Sequence, residues 1–156
     1  MLKPDVRVGD WAMPWNAKDG VGRLGPGIPK SDFWASDPGG IEQVGCVYTA
    51  QGFEFDYVGV IVGPDLVYRP MDGGWVGQPE QSHDRVVRRG VSSAEFTRYV
   101  KSTYRVLLTR GLRGCYVYFM DAPTRDFFLS RTERATAIGT AAAAETPAPY
   151  GSEGQS

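Results

Sequence analysis

The chain's apolar and polar positions fall into a few distinct rhythms. Residues 44 to 62 hold two apolar runs, Val44 to Tyr48 and Tyr57 to Val62, with the polar connector Thr49 to Asp56 between them. Both runs are short and rich in β-branched residues, so each predicts a buried strand of a sheet covered on both faces. From residue 92 the rhythm changes. Ser92 and Glu95 stand at capping-box spacing. Phe96, Tyr99, Val100, Thr103, Tyr104, Leu107 and Leu108 then recur in steps of three and four and predict a helix with one apolar face over 92–110. Gly111 is expected to stop it as a C-terminal glycine. Cys115 to Met120 predicts a third buried strand, and a helix is expected within Asp121 to Arg134, packed through Phe127, Phe128 and Leu129. Val6 to Val8 and Leu66 to Arg69 predict short strands, and the glycine-rich stretch Pro70 to Pro79 predicts a turn.

Chain breakers set the limits of this pattern. The sequence holds 20 glycines and 11 prolines, about a fifth of the chain against roughly 12% in average usage. Their excess lies in the N-terminal third and the tail. Residues 1–43 therefore read as a loop-rich segment packed on the core, with Trp11, Trp15 and Trp34 as its expected anchors; an aromatic platform for bases is the alternative. Residues 44–134 form the ordered unit, and 135–156 read as a disordered tail. The order strand, turn, strand, irregular insert, helix, strand, helix predicts an α/β fold with a mostly parallel sheet and flanking helices. Three strands make a thin sheet, which leads to the expectation that a further part of it lies upstream.

Composition narrows the partners. Net charge is −1 with 42% hydrophobic residues, which excludes a strongly basic nucleic-acid module but not a local basic face. Of the cations, 13 are Arg and 4 are Lys, and many of the arginines fall between Arg85 and Arg134. Arginine suits planar, bidentate contact with phosphate. No apolar run approaches the length of a membrane span, and no membrane partner is expected. Cys46 and Cys115 sit in apolar runs and read as buried, reduced thiols of a cytoplasmic protein. His83 is the single histidine and has no ligand-spaced neighbours, so no metal site is expected.

Two constellations carry chemistry. In Thr49 to Asp56, Gly52 permits a tight turn, and Glu54 and Asp56 bring carboxylates to the sheet edge; a plain charged connector is the structural alternative. In Tyr104 to Gly111, Arg110 stands at a helix end, where it can stabilise charge on a transferring phosphoryl group or simply complement the helix dipole. Taken alone, each leaves both readings open.

Together they match a family. Gln51-Gly52-x-Glu54 followed by Asp56-Tyr57-Val58 resembles motif V of superfamily-one helicases, and Leu108-Thr109-Arg110 after an apolar helix resembles motif VI. The wider text from Val44 to Leu66 and from Thr103 to Tyr118, with Trp11 to Asn16 upstream, is similar to the C-terminal part of the Schlafen group-three-like DNA/RNA helicase domain, a P-loop ATPase family. The resemblance spans about residues 5–130. It implies a partial RecA-like domain of the P-loop NTPase type. It implies that Arg110 is the catalytic arginine reaching a γ-phosphate, and that Gln51, Gly52 and Glu54 border the nucleotide. Thr49 would touch the nucleic-acid backbone. Arg105 is a candidate for the nucleotide and Lys101 for the nucleic acid, each less firmly tied to a motif.

The phosphate-cradling motif Gly-x-x-x-x-Gly-Lys-Ser/Thr does not occur in the sequence. Asp121 ends an apolar strand but follows motif VI, the wrong place for a magnesium-binding aspartate. ATP with magnesium is therefore expected only if a P-loop domain completes the site, from a partner chain or a missing N-terminal domain, with DNA or RNA as the further partner. The chain alone is expected to be inactive. The alternatives are a stand-alone module binding nucleic acid or protein, and a non-functional truncated gene product.

Overall fold

A computed structural model describes residues 6–17 and 24–144, with side chains through residue 135. The chain opens with an antiparallel ribbon of β1 (Val6–Val8) and β2 (Trp11–Met13). The segment joins the rest through backbone: the Val44 N–H donates to the Pro14 carbonyl at 2.9 Å, and the Asn16 N–H donates to the Val44 carbonyl at 2.8 Å. Of the three expected anchors only Trp34 acts as one. Its indole N–H donates to the Gln43 carbonyl at 3.1 Å, and its ring meets Phe55 edge to face at 6.2 Å. The ring also lies against Gly45, where a Cβ would collide with it. Trp11 and Trp15 remain about two-fifths exposed, at 42% and 41%.

The first expected strand is absent. Val44 makes a single parallel bridge to Trp15, and Val47–Ala50 coil into one helical turn, α1. Thr49 decides this locally: its Oγ1 accepts from the Cys46 N–H at 2.9 Å, while its own N–H donates to the Cys46 carbonyl at 3.1 Å. These reciprocal bonds satisfy donors that a strand would need to pair elsewhere.

The second run forms β3 (Phe55–Val62) as expected. β4 (Leu66–Arg69) also follows expectation, but the glycine-rich turn after it contains a further strand, β5 (Gly74–Gly77), paired antiparallel with β4. A short helix, α2 (Arg85–Arg88), is capped by Asp84, whose Oδ1 accepts from the Val86 N–H at 2.8 Å. The long helix α3 (Ser93–Leu108) carries its Ser92–Glu95 capping box. Thr109 closes it, and Gly111 opens the next strand instead of terminating the helix. A Cβ on Gly111 would meet the Gly114 carbonyl oxygen and the Val58 side chain, so close packing requires this glycine.

β6 (Gly111–Phe119) runs parallel to β3, with Val60 opposite Val117 and Val62 opposite Phe119. Among the described residues this is the parallel pair; the other two sheets are antiparallel ribbons. Helix and strand thus mix as the α/β expectation requires, with parallel pairing in the two-stranded β3–β6 sheet and two separate antiparallel ribbons beside it. α4 (Ala122–Ala144) extends well past Arg134, into residues expected to be disordered. Alanine, the best helix former, fills that extension. Residues 145–156 of the expected tail lie outside the described residues.

Leu66, Phe96 and Val100 form the buried core, flanked by Trp75, Val87, Val91 and Tyr104. It lies between α3 and the β4–β5 ribbon. One face of the β3–β6 pair, with Val62 and Phe119, turns toward α3 and α4. The other is open: Tyr57, Tyr116 and Tyr118 are 54%, 72% and 51% exposed. Cys115 is exposed too, contrary to expectation, and Cys46 is half-buried.

Candidate functional site

The site is built where the end of α3 meets the loop after α1. Gln51 ends α1 and donates its N–H to the Val47 carbonyl at 2.9 Å. Gly52 then takes φ +86°, a left-handed conformation that costs other residues about 1 kcal/mol or more, and the chain reverses into β3. Gln51, Gly52, Phe53 and Glu54 are all exposed on this reversal.

Arg110 faces them. The Phe55 N–H donates to the Arg110 carbonyl at 2.9 Å, extending the parallel ladder by one bond. The guanidinium Nε donates to the Val106 carbonyl at 3.0 Å, fixing the side chain against the last turn of α3. Nη2 donates to Thr109 Oγ1 at 3.3 Å, and Nη1 lies 3.4 Å from the Phe53 carbonyl. An arginine carries five N–H groups, so donors remain for a further anion. Among the described residues the ion pairs are Arg69–Asp121 and Arg125–Asp126, and neither neutralises Arg110. The two sequence constellations, with Phe53 and Arg110 57 positions apart, therefore form one edge.

The other expected site residues are placed differently. Thr49 is buried, and its hydroxyl is engaged with Cys46, where it caps the start of α1. Lys101 and Arg105 are exposed on α3. They line both an apolar groove of about 360 Å³, walled by Trp75, Tyr104, Leu108 and Phe128, and a more polar hollow of about 420 Å³ that includes Arg98.

Two polar clusters escaped the sequence reading. The Tyr104 hydroxyl donates to Asp65 Oδ1 at 2.7 Å and accepts from the Gly63 N–H at 2.9 Å, tying α3 to the end of β3. Burial pushes the Asp65 carboxyl up, although the Tyr104 hydrogen bond opposes it. Burial also raises the Tyr104 phenol, with the Asp65 charge adding to the effect. Asp121 holds Arg69 in a bidentate pair at 2.7 and 2.9 Å and caps α4 through the Thr124 N–H at 2.9 Å. The Arg69 hydrogen bonds hold the Asp121 carboxyl well below the usual carboxylate range, with burial opposing and Thr124 assisting. Asp121 is thus engaged in structure. An apolar-face tyrosine and an aspartate in a Gly-Pro-Asp turn were the available signals for the first cluster. Nothing local in the sequence pairs Arg69 with Asp121.

A family described as the Schlafen group 3 DNA/RNA helicase domain matches residues 1–121. The uncharacterized protein YPL245W of Saccharomyces cerevisiae is 34% identical to this chain over 106 residues, which cover 65% of this chain and 23% of that protein. The chain therefore spans less than a quarter of that relative's length. No solved structure matches the chain.

Proposed function

Because the chain belongs to the Schlafen group 3 DNA/RNA helicase domain family, we propose that it is the arginine-bearing part of a nucleic-acid-dependent ATPase of RecA-like type. One observation carries the reading: the Arg110 guanidinium stands beside the Gln51–Glu54 reversal, with its backbone bonded to Phe55. Exposed polar groups and an unneutralised cation share one edge, as a triphosphate requires. Gln51 and Glu54 border the nucleotide, and the open space around Gly52, where an added Cβ would meet nothing within 4 Å, lets it approach the backbone. ATP supplies a phosphoryl group for transfer to water. Arg110 places positive charge where negative charge develops on that group, and Thr109 and Val106 orient it. Phosphate cradling and magnesium belong to a P-loop segment outside this sequence, which lacks that motif.

The test mixes the chain with a P-loop-bearing half of a family member and follows phosphate release with and without single-stranded nucleic acid. The mixture is expected to turn ATP over, and Arg110→Ala to lower kcat by about 10³-fold or more. Turnover by the chain alone would overturn the divided site, and equal turnover by the variant would overturn the arginine's role.

A further inference from the structure

We infer that α3 carries a track for single-stranded nucleic acid, with phosphates on Arg98, Lys101 and Arg105 and an unpaired base in the apolar groove beside them. The inference deepens the proposed function and rests on its nucleic-acid dependence.

The three cations recur at helical spacing on the exposed side of α3. At 1.5 Å of rise per residue they span about 10 Å, roughly three stacked nucleotides at 3.4 Å each. All three are exposed and, among the described residues, none is in an ion pair. Glu95, on the preceding turn, already accepts from both the Ser92 N–H and the Ser92 hydroxyl. The Glu95 charge offsets part of that of Arg98, and with three cations to this one carboxylate the patch stays net positive in a chain of net charge −1.

The second observation is the groove. Lys101 and Arg105 line the polar hollow and the apolar groove alike, so the cations stand between the two. Tyr104, Trp75, Phe119 and Phe128 supply aromatic surface to the groove. A planar base beside a phosphate matches an aromatic surface beside a cation. A duplex keeps its bases stacked and paired, so an unpaired strand fits better. An acidic peptide would satisfy the charge but offers no base for the groove.

The track also has an end. Thr109 lines the apolar groove, and its Oγ1 accepts from Arg110 Nη2. A strand seated along α3 thus reaches the group that orients the arginine.

The experiment measures anisotropy of a short fluorescent oligothymidine with the chain alone, in rising KCl and without ATP. Affinity should fall with salt at a logarithmic slope of about −2, the value for three phosphate contacts on a single strand. The triple substitution Arg98→Ala, Lys101→Ala, Arg105→Ala should weaken binding at least ~10-fold and bring the slope near zero, while its melting temperature stays at the wild-type value. An abasic strand of equal length should keep the slope and bind more weakly. Unchanged binding by the triple variant, equal binding of the abasic strand or of a duplex, or no binding by the wild type would each overturn the track. Because this assay contains no nucleotide, its failure leaves the Arg110 reading standing, and failure of the Arg110 test leaves the binding result standing.

Discussion

Asp121 lies between β6 and α4, caps α4 and pairs with Arg69 of β4, so one carboxylate ties this junction to the β4–β5 ribbon. Its folded carboxyl titrates below the ordinary carboxylate range. The contact therefore adds stability at every pH above that range and is lost only as pH falls through the depressed folded value. Asp121→Asn should lower stability near neutral pH by about 1–2 kcal/mol, through loss of the ion pair and weakening of the cap. It should also flatten the loss of stability seen in wild type below about pH 4. Thermal melts across pH read both effects. Asp65 works in the opposite sense. Its carboxyl is raised by burial, so stability from this group is greatest at low pH and declines as pH rises through the folded value. Tyr104→Phe should cost about 1–3 kcal/mol in a denaturant titration, because the Gly63 N–H and Asp65 lose their shared partner. At this scale the sequence was legible where a residue's chemistry is local. Gln51, Gly52 and Arg110 announce a loop and a cation. Thr49 looks the same whether it caps a turn or faces a ligand, and only the Cys46 contact separates the two.

Helix α3 is the element most fully written in the chain. Its capping box and apolar spacing determine where it starts and which side is buried, and Phe96 within it is fully buried. Phe96→Ala should destabilise by about 3–5 kcal/mol in chemical denaturation. The reversal at Gly52 is a smaller element with a different dependence. Because an added Cβ there meets nothing, Gly52→Ala should cost only the strain of φ +86°, about 1 kcal/mol. Its larger effect is expected on phosphate release in the reconstituted mixture, through a displaced Phe53 carbonyl. The elements that the pattern missed are those set by partners distant in sequence or by glycine. α1 and a buried strand have the same apolar composition over Val44 to Tyr48. β5 is a four-residue strand bounded by glycines, which reads as a turn until β4 lies beside it.

Seen whole, the molecule buries its strongest apolar residues between α3 and the β4–β5 ribbon and leaves a tyrosine-covered sheet face open. Tyr57 and Tyr116 lie 6.3 Å apart on that face, and both outer edges of the β3–β6 pair carry no further strand among the described residues. A parallel sheet is ordinarily covered on both sides, and open strands invite self-pairing. The isolated chain should therefore associate as its concentration rises. Tyr116→Lys should reduce the light scattering of concentrated samples while leaving the melting temperature within about 1 °C, since an exposed substitution of this kind changes stability little. The sequence foresaw a thin sheet but not that one side would be bare, because exposure depends on what packs against a strand and not on the strand.

The bond between the Phe55 N–H and the Arg110 carbonyl also concerns time. The β4–β5 ribbon and α3 are local in sequence and can form early, whereas β3 and β6 must find each other across all of that chain. The edge that presents Arg110 should accordingly be among the last features to appear during folding, and a ligand that recognises it would then select molecules that have finished.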